Sequence, residues 1–176
     1  MTTTLSRQVV KQCPYRPETD FGTLVITLDG PAPDLLALAA AIAPLTARPI
    51  SHEDYTAAVA ALLPPAARAA STWRTAGWTV EVAVEDQQMT TTLRRPVTRQ
   101  CPPRPEAEIG DLTIILDGPA PELHALGAAV DTATAGLATR EDYAAAVAAL
   151  LPPVTWASIT WQAGWTVEVT DAAVPR

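Results

Sequence analysis

Cys13 stands immediately before a proline, and Asp20 follows it across a stretch stiffened by Pro14 and Pro17. A thiol and a carboxylate on one hairpin are the parts of a nucleophilic site. The sulfur attacks an electrophilic carbon while the carboxylate takes up the proton and returns it. A nearby anion does not by itself favour a thiolate, so the pair needs hydrogen-bond reach. Further on, His52-Glu53-Asp54 gathers an imidazole and two carboxylates, with Glu53 a candidate to grip the paired N–H donors of a flat heterocycle. Each candidate also has a structural explanation. An isolated cysteine makes a good small buried hydrophobe. An acidic residue such as Glu53 suits the first turn of a helix, where on local grounds dipole complementation suffices. His52 suits a solvated first turn, and Trp73, Trp78, Trp161 and Trp165 suit core or interface packing.

The chain writes this pattern twice. Met1-Thr-Thr-Thr-Leu5 returns as Met89-Thr-Thr-Thr-Leu93, and Gln12-Cys13-Pro14 returns as Gln100-Cys101-Pro102. Leu28-Asp-Gly-Pro-Ala-Pro33 reappears from Leu116, Glu53-Asp-Tyr55 as Glu141-Asp-Tyr143, and Ala76-Gly-Trp78 as Ala163-Gly-Trp165. The chain therefore divides into residues 1–88 and 89–176, two small units that share a plan. Units of this size bury only part of their apolar surface alone, so packing into a homo-oligomer is expected. The copies differ where chemistry would sit: Cys101 and Glu141 are retained, Asp20 becomes Glu108, and His52 becomes Arg140.

The elements that position these residues are legible within one unit. Thr2 to Val10 reads as a strand, and Phe21 to Leu28 as another, ended by the turn residues Asp29-Gly30-Pro31. Pro33-Asp34 opens a helix with Leu35, Leu38 and Ile42 at helical spacing, and Pro44 stops it. Ser51 caps a second helix with Asp54 three residues on, and Tyr55, Val59, Leu62 and Leu63 form its apolar stripe as far as Pro64-Pro65. Two strands close the unit, near Ala67–Arg74 and Trp78–Val84. The expected class is α+β: strand-strand-helix-helix-strand-strand, with both helices covering one face of an antiparallel sheet.

Composition narrows the function. A hydrophobic fraction of 48% with 18% charged residues describes a folded chain. The net charge of −7, without a basic cluster, gives no footprint for nucleic acid. Prolines cut every apolar run below a membrane span, and the N-terminal residues lack the layout of a secretion signal, so a cytoplasmic location and no membrane partner are expected. Two cysteines in equivalent places of two copies make no disulfide framework, and with two histidines they supply no metal site.

Together these positions resemble the 7-cyano-7-deazaguanine reductases, the QueF family. Cys13-Pro14 followed by Asp20-Phe-Gly-Thr-Leu24 is similar to that family's Cys-Pro…Pro-Asp-Phe-Ala-Thr-Ile stretch. His52-Glu53-Asp54 matches its His-Glu-Asp, and Thr72-Trp73…Ala76-Gly77-Trp78 falls near its closing strands. The likeness runs through nearly all of each copy and implies the tunnelling fold, or T-fold, in two tandem units. It implies that Cys13 attacks the nitrile carbon of a purine-like 7-deazaguanine, that Asp20 relays protons, and that Glu53, beside His52, holds the ring edge. The resulting thioimide would be reduced to the amine by NADPH. In the second copy those roles fall on Cys101, Glu108 and Glu141. The family's helix lysines, associated with NADPH, are replaced by Asp34-Leu-Leu-Ala-Leu-Ala39 and Glu122-Leu-His-Ala-Leu-Gly127. Two other readings therefore stand beside reduction: amidine formation with ammonia from the same thioimide, and a non-catalytic binding or assembly module.

Overall fold

The computed structural model of the chain describes residues 1–100, 107–136, 139–152, 156–162 and 166–172. Its class is α+β, with antiparallel strands and, among the described residues, four α-helices. The chain forms two compact units: Met1–Thr75 with Val80–Thr91, and Ala76–Thr79 with Thr92–Arg176. The short segment around Trp78 thus packs with the second unit. None of the described helices is long and apolar enough to cross a membrane.

In the first unit β1 (Thr2–Gln12) pairs antiparallel with β2 (Thr19–Asp29), from Thr2 opposite Asp29 to Gln12 opposite Thr19. Strand alternation sorts β2 into an inward row of Asp20, Gly22, Leu24, Ile26 and Leu28 and an outward row that includes Phe21. Gly30, at φ 135°, turns the chain in a region that favours glycine. Helix α1 (Leu35–Ile42) starts where the Asp34 carboxylate accepts the N–H groups of Leu36 and Ala37. It passes into a 3-10 turn, Ala43–Thr46, at Pro44. Helix α2 (His52–Ala60) is capped by Ser51, whose hydroxyl accepts the Asp54 N–H at 2.9 Å. Then β3 (Arg68–Thr75) pairs with β2, and β4 (Trp78–Glu85) follows β3 in the sheet order.

The second unit repeats the plan with β5 (Gln88–Gln100), β6 (Ala107–Asp117), α3 (Leu123–Ala133), α4 (Arg140–Ala148), β7 (Trp156–Gln162) and β8 (Thr166–Ala172). The β6/β7 and β7/β8 pairs are antiparallel, and β8 is an edge strand as β1 is.

Each core lies between sheet and helices. Trp73 and Trp161 are fully buried, and each lies flat against a glycine of the neighbouring strand. A Cβ on Gly22 would stand 2.5 Å from Trp73 Cε3, and one on Gly110 2.7 Å from Trp161 Cε3, so both glycines are required for that approach. The helices differ from the sequence expectation at their apolar ends. Of the α1 stripe, Ile42 is buried while Leu35 is exposed, and α2 ends at Ala60, leaving Leu62 exposed. Helical spacing picks out an apolar face without saying what covers it.

Candidate functional site

The centre of the first unit's candidate site is a buried ion pair. Lys11 and Asp20 lie directly opposite each other in the β1/β2 register, both in inward rows. The Lys11 ammonium donates to Asp20 Oδ2 at 2.9 Å, the two side chains being 0% and 3% exposed. His52, the first residue of α2, brings Nε2 to 3.2 Å from the same oxygen. Trp73 supports the group from below: Lys11 Nζ lies 5.1 Å from its ring centroid, and the imidazole centroid is also at 5.1 Å. Tyr55 meets Trp73 edge-on at 5.5 Å.

Burial, with the Lys11 charge adding to it, pushes the His52 pKa down to about 4 against the opposing pull of Asp20. The imidazole is therefore neutral at pH 7. Because the carboxylate oxygen only accepts, we assign the proton to Nε2, which donates to Asp20. The cluster then holds one positive and one negative charge, the balance that deep burial demands.

A second layer of hydroxyls orders this arrangement. Trp73 Nε1 donates to Ser71 Oγ at 2.7 Å, and Thr56 Oγ1 donates to the His52 carbonyl at 2.8 Å. Ser71 and Thr56 are 2.5 Å apart. Thr56 has one proton, already given to the carbonyl, so Ser71 donates to Thr56. The result is a one-way chain from the indole to the backbone of the first residue of α2.

Cys13 sits just past β1, half-buried and unoxidised. Its N–H donates to the Glu18 carbonyl at 3.0 Å, closing the loop between the strands. The Ile50 N–H donates to the Gln12 carbonyl at 3.2 Å, fixing the approach to α2 beside the end of β1. Cys13, Asp20, His52 and Glu53 are thus gathered at one end of the unit. A cleft of about 630 Å³ opens there, lined among others by Pro14, Tyr15, Arg48, Ser51 and Asp54. Pro14 and Ser51 are the chain neighbours of Cys13 and His52. Asp20 itself is engaged by Lys11 and His52.

The second unit rebuilds the same cluster with larger groups. Glu108 takes the place of Asp20; its Oε2 lies 2.6 Å from Arg99 Nη2, and its Oε1 3.1 Å from Arg140 Nη2. Burial acts to raise the Glu108 pKa, but hydrogen bonds and charge from Arg99 and Arg140 hold it below the usual carboxylate value. Arg99 lies 5.4 Å over Trp161, and Tyr143 meets that ring edge-on at 5.3 Å. Both guanidiniums meet the one Glu108 carboxylate, and the Arg140 side chain, 23% exposed, keeps contact with solvent. The hydroxyl chain is gone: Thr56 and Ser71 correspond to Ala144 and Ile159, and buried Trp161 Nε1 has no partner among the described residues. Glu141 is exposed in the first turn of α4. Cys101 lies outside the described residues, as does Trp165.

Lys11 and Arg99 belong to these clusters although motif spacing does not point to them. Their signal was present in the repeat, since lysine with aspartate in one copy becomes arginine with glutamate in the other. Such a paired change marks two charges in contact. Among the described residues no group of three or more His, Cys, Asp or Glu is placed to hold a metal. No family model, curated protein or solved structure matches the chain.

Proposed function

We propose that the first unit is a T-fold catalytic unit similar to the 7-cyano-7-deazaguanine reductases, in which Cys13 forms a covalent thioimide with a nitrile on a 7-deazaguanine-like ring. The carrying observation is the gathering at one end of the sheet: Asp20 bonded to His52, and the α2 approach bonded to Gln12 beside Cys13. In the addition, Sγ bonds to the nitrile carbon, one π bond of the nitrile opens, and the thiol proton ends on nitrogen. Neutral His52, oriented by Asp20 and by the carbonyl bond to Thr56, stands beside this chemistry, and Glu53 is the anchor for the ring edge.

The fate of the thioimide depends on a co-reactant. Reduction to the amine would need two hydrides, which NADPH would supply, and two protons, and would free the thiol. The exposed residues that open α1, Leu35 and Leu36 behind the capping Asp34, do not fit a cofactor phosphate. They favour the alternative in which ammonia attacks the thioimide carbon, the C–S bond breaks, and an amidine leaves with the thiol restored.

The test is to incubate the full chain with 7-cyano-7-deazaguanine and weigh it intact. An adduct is expected on wild type and on Cys101→Ala but not on Cys13→Ala. NADPH oxidation followed by absorbance then reports reduction, and product mass after adding ammonia reports amidine. An adduct on neither cysteine overturns the covalent reading. The assembly-module reading would then stand, favoured by one observation: both units keep a buried charge cluster over a tryptophan although its members change.

A further inference from the structure

In the second unit an indole fills the place beside the first helix, and each polar group around it is satisfied. Trp78, 1% exposed, donates its indole N–H to the Leu123 carbonyl at 3.2 Å. The Arg95 guanidinium lies 5.1 Å from that ring's centroid and donates to Asp131 at 2.9 Å and to the Gly127 carbonyl at 3.3 Å. The Tyr143 hydroxyl is hydrogen-bonded to Thr134.

In the first unit Arg7, Leu35, Ala39 and Tyr55 stand where the repeat has Arg95, Leu123, Gly127 and Tyr143. There a cleft of about 500 Å³ opens between α1, β1 and β2, lined by Leu5, Arg7, Leu24, Leu35, Ala39 and Ile42 among others. Its size and apolar walls are those of a small-molecule site. Two polar groups here lack the partners that the repeat supplies. Ala43 replaces Asp131, the acid that fixes Arg95, and no described carboxylate pairs with Arg7 in its stead. Pro44 ends α1 at Ile42, and Thr46, the counterpart of Thr134, donates to the Ala43 carbonyl at 3.3 Å within the 3-10 turn. The Tyr55 hydroxyl is left buried with no partner among the described residues. Burial raises its pKa against the pull of the Arg7 charge, so the phenol stays protonated and is a donor. A cation and a buried donor thus lie within electrostatic reach of each other with no acceptor between them.

We propose that the α1 groove of the first unit is a binding site for a small planar aromatic carboxylate of the indole type. The ring takes the place that Trp78 has in the second unit, with its N–H on the Leu35 carbonyl and Arg7 over its face. The carboxylate takes the place of Asp131 and gives Arg7 a charge-assisted partner. In the second unit one guanidinium reaches both the ring and the acid, so ring and anion are close enough to belong to one small molecule. The missing acid is what selects an anion over a neutral aromatic. One difference shifts the ligand: a Cβ on Gly127 would stand 3.4 Å from Trp78 Nε1, so the Ala39 methyl holds the ring slightly farther from the helix. The groove shares no lining residue with the cleft beside Cys13, which makes this ligand distinct from the substrate proposed there.

Calorimetric titration of the full chain with indole-3-acetate, and with neutral 3-methylindole, tests this. Wild type should bind the acid about tenfold or more tighter than the neutral ring, as a hydrogen bond to a charged group implies. Arg7→Gln should lose that preference. Ala43→Asp, which writes the second unit's acid beside Arg7, should lose it too while still binding 3-methylindole. Both positions are exposed, so both variants should keep the wild-type far-UV circular dichroism. Cys13→Ala should bind as wild type does, because this site stands apart from the proposed adduct chemistry. A wild type without preference for the acid overturns the proposal, and so does one that binds neither compound because a second copy covers the groove. A preference that survives either Arg7→Gln or Ala43→Asp, or that is lost in Cys13→Ala, places the binding elsewhere and overturns it as well.

Discussion

His52 owes its neutrality to where it lies. Its pKa falls from 6.5 to about 4 on folding, so between those values the unfolded chain binds the extra proton. Stability from this group is therefore fully present above pH 6.5 and is lost as the pH falls towards 4, by up to about 3 kcal/mol. Urea titrations across that window should show the loss in wild type and a smaller one in His52→Gln, which keeps an N–H donor but does not titrate. Identical slopes would mean that His52 is not the group responsible. Glu108 acts in a lower window: its depressed pKa gives stability that is present above its unfolded value of 4.5 and lost as the pH falls below it. A second residue-scale expectation concerns Gly22. The Cβ of Gly22→Ala would meet the Trp73 ring and the Thr72 carbonyl at 2.5 and 2.6 Å. Overpacking of this kind costs about 1–3 kcal/mol. Gly110→Ala, with nearest distances of 2.7 and 3.0 Å, should cost less in the same denaturation experiment.

At the scale of elements, the Lys11–Asp20–His52 cluster ties β1, β2 and α2 together. Breaking a buried pair from one side leaves an uncompensated charge, so Lys11→Met should destabilise by about 3–5 kcal/mol. Adding Asp20→Leu to Lys11→Met should recover much of the loss, because no charge then remains buried. A double variant no more stable than Lys11→Met would show that the carboxylate is held by something else. The helix starts are local by comparison. Ser51→Ala removes one acceptor from the first turn of α2 and should cost about 1 kcal/mol. It also loosens the residue that precedes His52, so thermal melting should register a modest shift while the proposed adduct formation on Cys13 slows.

Across the whole molecule, the repeat makes a controlled comparison available. Lys11→Arg, Asp20→Glu and His52→Arg together write the second unit's cluster into the first. If the cluster only clasps the sheet, this triple variant should fold and form the proposed Cys13 adduct as fast as wild type does. If neutral His52 assists the addition, the variant should fold but form the adduct more slowly, a misplaced group costing up to roughly a hundredfold. The outcome is read by intact mass against time. Much of the architecture could be read before folding was considered. The Thr- and Val-rich alternation of β1, the Asp29-Gly30 turn, the Ser51 cap and the Pro44 stop each depend on residues a few positions apart, and each appears where the sequence places it, while Asp34, expected in the first turn of α1, caps it from just outside. The repeat likewise marked Asp20 with Glu108, and His52 with Arg140, as sites of change. What only the tertiary structure decided was the partners. Asp20 is a plausible mate for Cys13 on loop length alone, yet register sets it against Lys11, and the position of α2 brings His52 to the same oxygen. Leu35 has the spacing of a core residue, yet the groove beside it is open. Local propensities act over a turn of helix or a pair of strand residues, whereas the worth of a buried charge or an apolar face depends on what distant segments bring against it.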